Sequence, residues 1–306
     1  MSQPTLHDCG GHVDDLIATV LLWLAPDVDL QAIGVTNSDC YADQAYEALV
    51  KIATYLDLEG AEIAVCPEEM PNPFPDSWRR ESHIINELPL FGENYLKEPY
   101  QQGRPRRTEA VFGDCLSNSR VPLQVVTTGP LTNLAKLLKD QPEVAGNIKE
   151  LIAMIGAINA PGNVEEEGHD GSAEWNAYAD PFALKAVLDT KIPIKLITLD
   201  LTNQLPVTKE FLARLESQSS SKASKLASTL WSLVKGFEYY FWNTVTVAAA
   251  MQSSLFTFKE MKIDVSTSGK NQGRTATSLF GRKVQVATQI DKAAFEDLLL
   301  EVLSLR

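Results

Sequence analysis

The sequence predicts an α/β protein with a mostly parallel open sheet, helices on both faces, and a helical region near residues 208–251. Three observations carry this. Short apolar runs alternate with helix-spaced segments along most of the 306 residues, as in strand–helix–strand units. A first strand meets a first helix through the glycine turn Gly10-Gly11, the arrangement that places ligands at the carboxyl ends of strands. An apolar share of 44% is ample for the core of one large domain, taken as residues 1–306.

Thr5–Asp8 reads as the first strand. Asp14–Leu24 reads as a helix whose two first-turn acids suit the helix dipole. Val28–Thr36 is an apolar strand. Ala42–Leu56 has helical spacing, with Ala45, Leu49, Ile52 and Ala53 on one face. Ala61–Val65 is a third strand. Residues 67–105 are proline-rich and aperiodic, a segment of the length used for lids and binding loops or left disordered. Leu123–Thr127 is a strand, Leu131–Leu138 a helix and Ile152–Ile155 a strand. Pro181–Leu188 is a helix opened by Asp180 and a first-turn proline. Ile194–Leu199 is a buried strand. Helical sequence runs from Thr208 to about Met251, interrupted near Ser217–Lys225. Tyr239–Trp242 fall within it, mostly as core. The end is β-rich (Ile263–Val265, Ala276–Phe280, Val284–Ile290) and closes with the helix Lys292–Leu303.

A net charge of -13 argues against nucleic acid polymers and anionic membranes, which call for basic patches. It suits a cation, a neutral sugar, or a transition state that gains positive charge, and it also simply keeps a protein soluble. The four cysteines, Cys9, Cys40, Cys66 and Cys115, form no CxxC motif and are expected to stay reduced. The N-terminus has neither the basic region nor the apolar run of a signal peptide, and no stretch matches a membrane span. The expectation is a soluble cytoplasmic protein. Gly10-Gly11 lacks full GxGxxG spacing, which disfavours a redox Rossmann enzyme.

Chemistry concentrates at the start of the chain. Asp8, Asp14 and Asp15 stand around the glycine turn, and carboxylates this close are tolerable when a cation or a polar ligand shares the site.

Several segments resemble, in order, the inosine-uridine preferring nucleoside hydrolases. Asp8 to Asp15 resembles the family's opening Asp-x-Asp-x-Gly-x-Asp-Asp. Thr128-Gly-Pro-Leu-Thr-Asn133 is similar to its internal signature. Ile155-Gly156, Gly162-Asn163, Ala173-Glu174-Trp175-Asn176, Asp180-Pro181 and Leu199-Asp200-Leu-Thr202 resemble its central segments. Thr36-Asn37-Ser-Asp39-Cys40-Tyr41 and Asn72-Pro-Phe-Pro75 resemble a bacterial branch. The resemblance covers most of the chain.

It implies hydrolysis of the N-glycosidic bond of a nucleoside or related riboside by metal-activated water, through an oxocarbenium-like transition state. The implied cofactor is Ca2+, held by Asp15, the Thr128 carbonyl and, by position, Asn243. The implied sugar contacts are Asp14, Asn163, Glu174 and Asn176, with Asn37 and Asp39 as additions of uncertain register. The partner is a small nucleoside or sugar, and the family implies a homo-oligomer.

Departures are equally visible. Aligned without a gap, the family's base position is Gly10. A two-residue expansion of the turn would bring Asp8 there instead, so Asp8 and Asp14 remain the candidate bases, and Asp8 a candidate metal ligand. The family's distal His-Asp pair reads Trp242-Asn243. Tryptophan cannot protonate a departing purine, but it can stack on one. His83 in the long loop could reach over a base, and His12 could supply a polar contact in the turn or only shape it. Trp78, Arg79 and Arg80 read as a lid or as an anchor for the loop. The acidic stretch Glu165–Gly171 reads as a reshaped sugar pocket or a solvated loop. Thr132 and Asn133 are expected to position their turn. The alternatives are a catalytically drifted sugar- or nucleoside-binding protein, or a hydrolase of another glycoside.

Overall fold

The computed structural model describes residues 2–81, 83–92, 104–218, 220–236 and 238–306. Among them, nine strands form one sheet: β1 (Gln3–Cys9), β2 (Val28–Thr36), β3 (Glu62–Cys66), β4 (Leu123–Thr127), β5 (Ile148–Met154), β6 (Ile194–Ile197), β7 (Phe256–Val265), β8 (Thr275–Thr277) and β9 (Arg282–Ile290). Their order is β3-β2-β1-β4-β5-β6-β9-β7-β8. The first six strands pair in parallel, and β9 joins β6 in parallel. β7 runs antiparallel to both β8 and β9. The chain steps outward from β1 to β3, then returns to the other side of β1 with β4. That reversal opens a crevice beyond the carboxyl ends of β1 and β4, where doubly wound sheets bind ligands.

Helices cover both faces. On one, Leu16, Ile17 and Leu21 of helix Val13–Leu24 pack with Leu49 and Ile52 of helix Ala42–Tyr55 and with Phe295 and Leu299 of helix Lys292–Leu303. On the other, Phe112, Leu134, Leu137 and Leu184 cover Leu6, Val125 and Leu151 of the sheet. Burial at about 25 cal/mol per Å2 of apolar surface makes these two layers the main source of stability.

Several expectations change in the structure: the strand expected at Ala276–Phe280 is the shorter β8, and Leu199, expected to end β6, opens the helix Leu199–Thr202. The aperiodic stretch after residue 67 contains helices Asp76–Glu81 and His83–Asn86 and a 3-10 turn at Pro89–Phe91; residues 82 and 93–103 of that expected loop lie outside the described residues. An unforeseen helix, Thr108–Asn118, precedes β4. The helical region divides into Lys209–Ser217, Lys222–Leu233 and Asn243–Met251. Tyr239–Trp242 are therefore not within a helix. Tyr240 bridges to Pro206 as extended backbone, and Trp242 is the cap of the helix that follows.

Candidate active site at the ends of the first and fourth strands

The first turn is shaped by contact distances. Gly11 adopts φ +92°, and a Cβ there would lie 2.2 Å from the Ala45 side chain, so only glycine fits. The turn delivers the chain into helix Val13–Leu24, where Asp15 occupies the third position. Asp15 reaches back over the turn: Oδ1 accepts from Gly10 N at 3.0 Å and from Thr128 Oγ1 at 2.6 Å, and Oδ2 accepts from His12 N at 3.3 Å. These bonds pin the start of the helix to the end of β4. Burial, and after it the charge of Asp39, push the Asp15 carboxyl above its usual range.

Asp14 faces a different neighbour. Its Oδ2 accepts the backbone N–H groups of Asn243 and Thr244, orphan donors at the start of helix Asn243–Met251. Its Oδ1 is buried and has no hydrogen-bond partner. Burial raises the carboxyl to about 7.

Above these acids lies a cavity of about 410 Å3, within the range of small-ligand sites. Its lining mixes polar side chains, Asp39, Thr128, Asn163, Glu174, Asn176 and Asn243, with the rings of Phe74, Trp78, Trp175, Tyr239 and Trp242. Phe74 stacks on Trp175 with centroids 4.9 Å apart, and Tyr239 meets Trp242 edge-on at 4.8 Å. The indole N–H groups of Trp175 and Trp242 are buried without acceptors.

Glu174 and Asn176 are held by backbone. Glu174 caps helix Trp175–Ala179, accepting from Asn176 N at 2.8 Å and Ala177 N at 3.1 Å, and it also accepts from Gly156 N at 2.8 Å. Only 2% exposed, its carboxyl is raised to about 7 by burial. Asn176 Nδ2 donates to Thr128 O at 3.1 Å and Met154 O at 3.0 Å. Asn163 Oδ1 accepts from Trp175 N at 3.0 Å. Glu174, Asn176, Asn163, Thr128, Trp242 and Asn243 thus share one cavity, while Asp14 and Asp15 lie beneath it, bonded to Asn243 and Thr128.

Asp8, Asn37 and His83 do not line it, and each has a physical reason. Asp8 is fully buried, and both its oxygens are taken: Asn133 Nδ2 lies 3.0 and 3.1 Å away, and Thr36 Oγ1 donates to Oδ1 at 2.9 Å. This network ties β1 and β2 to the first turn of helix Thr132–Asp140 after β4 and keeps Asp8, expected as base or metal ligand, out of the cavity lining. Asn37 is engaged by Arg79 Nη2 at 2.7 Å, by Glu69 and by Pro67. His83 is exposed and lies 6.1 Å from the Tyr41 ring; its neighbours Ile84 and Ile85 line the cavity instead. Of the four histidines, His12 alone lines the cavity, with Nδ1 3.5 Å from the Tyr239 hydroxyl. The acidic stretch is exposed at Glu165–Glu167. It folds back through His169 Nε2, 2.9 Å from Gln272 O.

The aromatic wall was the part of the site least apparent in sequence. Its signal was Trp78 and the Pro-Phe-Pro segment, which place ring-bearing residues on the loop beyond β3. Among the described residues, no group of three or more His, Cys, Asp or Glu side chains forms a metal cage. No described helix is long and apolar enough to cross a membrane.

Comparison with known proteins shows the family and the fold. The family model for inosine-uridine preferring nucleoside hydrolases matches residues 6–297. The chain is 28% identical to the pyrimidine-specific ribonucleoside hydrolase RihA of Citrobacter koseri, covering 99% of each. It is similar to the crystal structure of the inosine-uridine preferring nucleoside hydrolase of Bacillus anthracis, with TM-score 0.91, 29% identity, and 99% and 100% of the two chains covered. The purine-preferring ribonucleoside hydrolase of Gardnerella vaginalis shares the fold, with TM-score 0.84 at 21% identity over 99% and 98% of the chains. Matched almost from end to end in sequence and in fold, the chain belongs to the inosine-uridine preferring nucleoside hydrolase family, whose reaction is hydrolysis of a nucleoside's N-glycosidic bond.

Proposed function

We propose that the protein binds a ribonucleoside with its sugar against the polar side chains of the cavity and its base against the aromatic rings, and that it hydrolyses the bond between them. The observation that carries this is that one cavity is lined both by buried polar side chains and by several aromatic rings. Glu174 and the Asn176 Oδ1 offer acceptors and Asn163 Nδ2 a donor, the mix that vicinal hydroxyls require. Rings across the cavity offer π faces to a base of any kind.

The buried carboxylates favour positive charge developing on the sugar. They are pre-oriented by backbone amides and held away from water, where electrostatic stabilisation acts most strongly. As the C1′–N bond breaks, the base leaves with the bonding electrons. The Trp175 and Trp242 N–H groups, lacking acceptors in the protein, are available to hydrogen-bond it.

The oxygen donors of the lining suit a hard cation. Calcium would be held by Asp15, the Thr128 carbonyl and Asn243, with the unpartnered Asp14 Oδ1 close by. Bound there, it would supply charge that lowers the pKa of a water and grips sugar hydroxyls. This set has one certain carboxylate and two neutral oxygens, so the affinity should be modest. A cytoplasmic homo-oligomer is part of the same reading.

A second reading, binding without turnover, is favoured by one specific observation: Trp242 and Asn243 stand where the resemblance calls for an acid and a carboxylate. One experiment separates the two. Uridine, cytidine, inosine and adenosine are incubated with micromolar protein and 1 mM calcium, and free base is followed by chromatography, alongside calorimetric titration. Released base supports hydrolysis. Heat of binding without released base supports the second reading, and neither signal sinks both.

A further inference from the structure

Gly10 has no side chain, yet the space beside it is filled by another residue. A Cβ built on Gly10 would lie 2.3 Å from Asp39 Oδ1, 2.7 Å from Ser38 Oγ and 3.2 Å from Asp39 Cγ. Real Cβ atoms do not approach oxygen so closely, so a side chain at position 10 and the present position of the Asp39 carboxylate exclude each other.

Asp39 comes from a different element. β2 ends at Thr36, and the turn of residues 37–41 carries Asp39 back over the first strand before helix Ala42–Tyr55 begins. The glycine turn and this second turn are packed together: Cys40 Sγ lies 3.1 Å from Gly11 O, and Gly11 abuts Ala45. Asp39 lines the cavity with Thr128 and Asn243. Its charge raises the Asp15 carboxyl, while Asp14 raises and Arg79 lowers that of Asp39 itself. The cluster also contains a buried oxygen that the protein leaves unsatisfied, Asp14 Oδ1. Buried carboxylate oxygens without donors are completed by a cation, a water or a ligand hydroxyl.

We propose that Asp39 supplies, from the second turn, the carboxylate that Gly10 lacks: it shares the cation with Asp15 and accepts the proton of the attacking water. The assignment rests on the hydrolase reading for the second role, whereas the first stands on cation binding alone. In the reaction, the water oxygen bonds to C1′, the C1′–N bond breaks with its electron pair going to the base, one water proton passes to Asp39, and the base takes its proton from solvent. The glycine is thereby explained as well. It is the residue that leaves room for a carboxylate arriving from elsewhere.

The test is a carboxylate relocation on the full chain. Asp39→Asn, Gly10→Asp and the double variant Gly10→Asp/Asp39→Ala are compared with the parent. Two readouts are used: thermal stabilisation by calcium chloride, and nucleoside hydrolysis. Asp39→Asn should abolish the calcium shift and lower kcat by about 10²-fold or more, the scale of a lost general base. Gly10→Asp alone should impair both, because two carboxylates compete for one space. The double variant should recover the calcium shift. Asp39→Asn with an unchanged calcium shift overturns the proposal, and so does Gly10→Asp that strengthens calcium binding without displacing Asp39. If the parent hydrolyses nothing yet loses its calcium shift on Asp39→Asn, the cation assignment stands and the hydrolase reading fails. If the double variant stays dead to calcium while melting cooperatively, relocation has failed and the proposal falls with it.

Discussion

Thr128 Oγ1 donates to Asp15 Oδ1 at 2.6 Å, a bond that spans 113 residues of sequence and joins the end of β4 to the first helix. The same residue offers its carbonyl to Asn176. Thr128 is thus the link between the acids beneath the cavity and the sugar-gripping residues beside it.

Thr128→Val keeps the shape of the side chain and removes the donor. The buried Asp15 oxygen would retain only Gly10 N. A buried acceptor losing one partner costs about 1–3 kcal/mol, and the Asp15 carboxyl should move further upward. Urea unfolding should show a lower midpoint with an unchanged slope. An unaltered midpoint would mean that the bond contributes nothing to stability.

Stability should fall as pH rises. Asp8, Asp14 and Glu174 are all raised to about 7 by burial, whereas in the unfolded chain they titrate near the usual carboxylate values. Between about pH 4 and 7 the folded state therefore holds more protons than the unfolded state. Stability declines wherever that is so. The metal-free protein should unfold at lower urea concentration at pH 7.5 than at pH 5. Saturating calcium should lessen only the share of Asp14, the one of the three beside the proposed cation, because a bound cation stabilises the ionised form. A midpoint that rises over this range would contradict the burial account of these three groups.

Much of this architecture is legible in the sequence, and the residues show why. Helices Pro181–Leu188 and Lys292–Leu303 match their expected bounds because each begins at an aspartate cap: Asp180 accepts from Ala183 N at 2.9 Å and Asp291 from Ala294 N at 3.1 Å. Capping is local, so it can be read locally. Helix Thr108–Asn118 escaped because its apolar positions, Val111, Phe112 and Leu116, are few and give a weak periodic signal. Asp8 illustrates the opposite limit. Its partners Thr36 and Asn133 lie 28 and 125 residues away, and no spacing rule reveals that they saturate it. Asp39 was legible beside Asn37 as a candidate sugar contact, but not as a carboxylate filling the space at Gly10. That it points at Gly10 while Asn37 turns to Arg79 depends on how two turns pack, which is a tertiary fact.

Asp8 should prove structural. Asp8→Ala would leave Asn133 Nδ2 and Thr36 Oγ1 buried, with the two still able to meet each other at 2.8 Å. The expected loss is about 1–3 kcal/mol, from removed hydrogen bonds and a small cavity. The increment in melting temperature produced by calcium chloride should match that of the parent. A variant of near-parental stability that no longer responds to calcium would return Asp8 to the metal site.

Trp242 separates two contributions that a histidine would merge. Its ring lines the cavity and packs edge-on against Tyr239, while its buried N–H lacks an acceptor. Trp242→Ala removes both ring and donor; Trp242→Phe keeps an aromatic face and removes only the donor. Base–aromatic stacking is worth about 1–3 kcal/mol, so Trp242→Ala should raise the nucleoside dissociation constant by about tenfold or more. Trp242→Phe should bind almost as well as the parent. If the indole N–H stabilises the departing base, its kcat should fall nonetheless, because that hydrogen bond strengthens as electrons reach the base. Steady-state kinetics on uridine and inosine, with calorimetry for binding, resolve the two effects. Equal kcat in parent and Trp242→Phe would confine Trp242 to stacking. Unchanged binding in Trp242→Ala would remove the base from this wall altogether and place it elsewhere along the cavity.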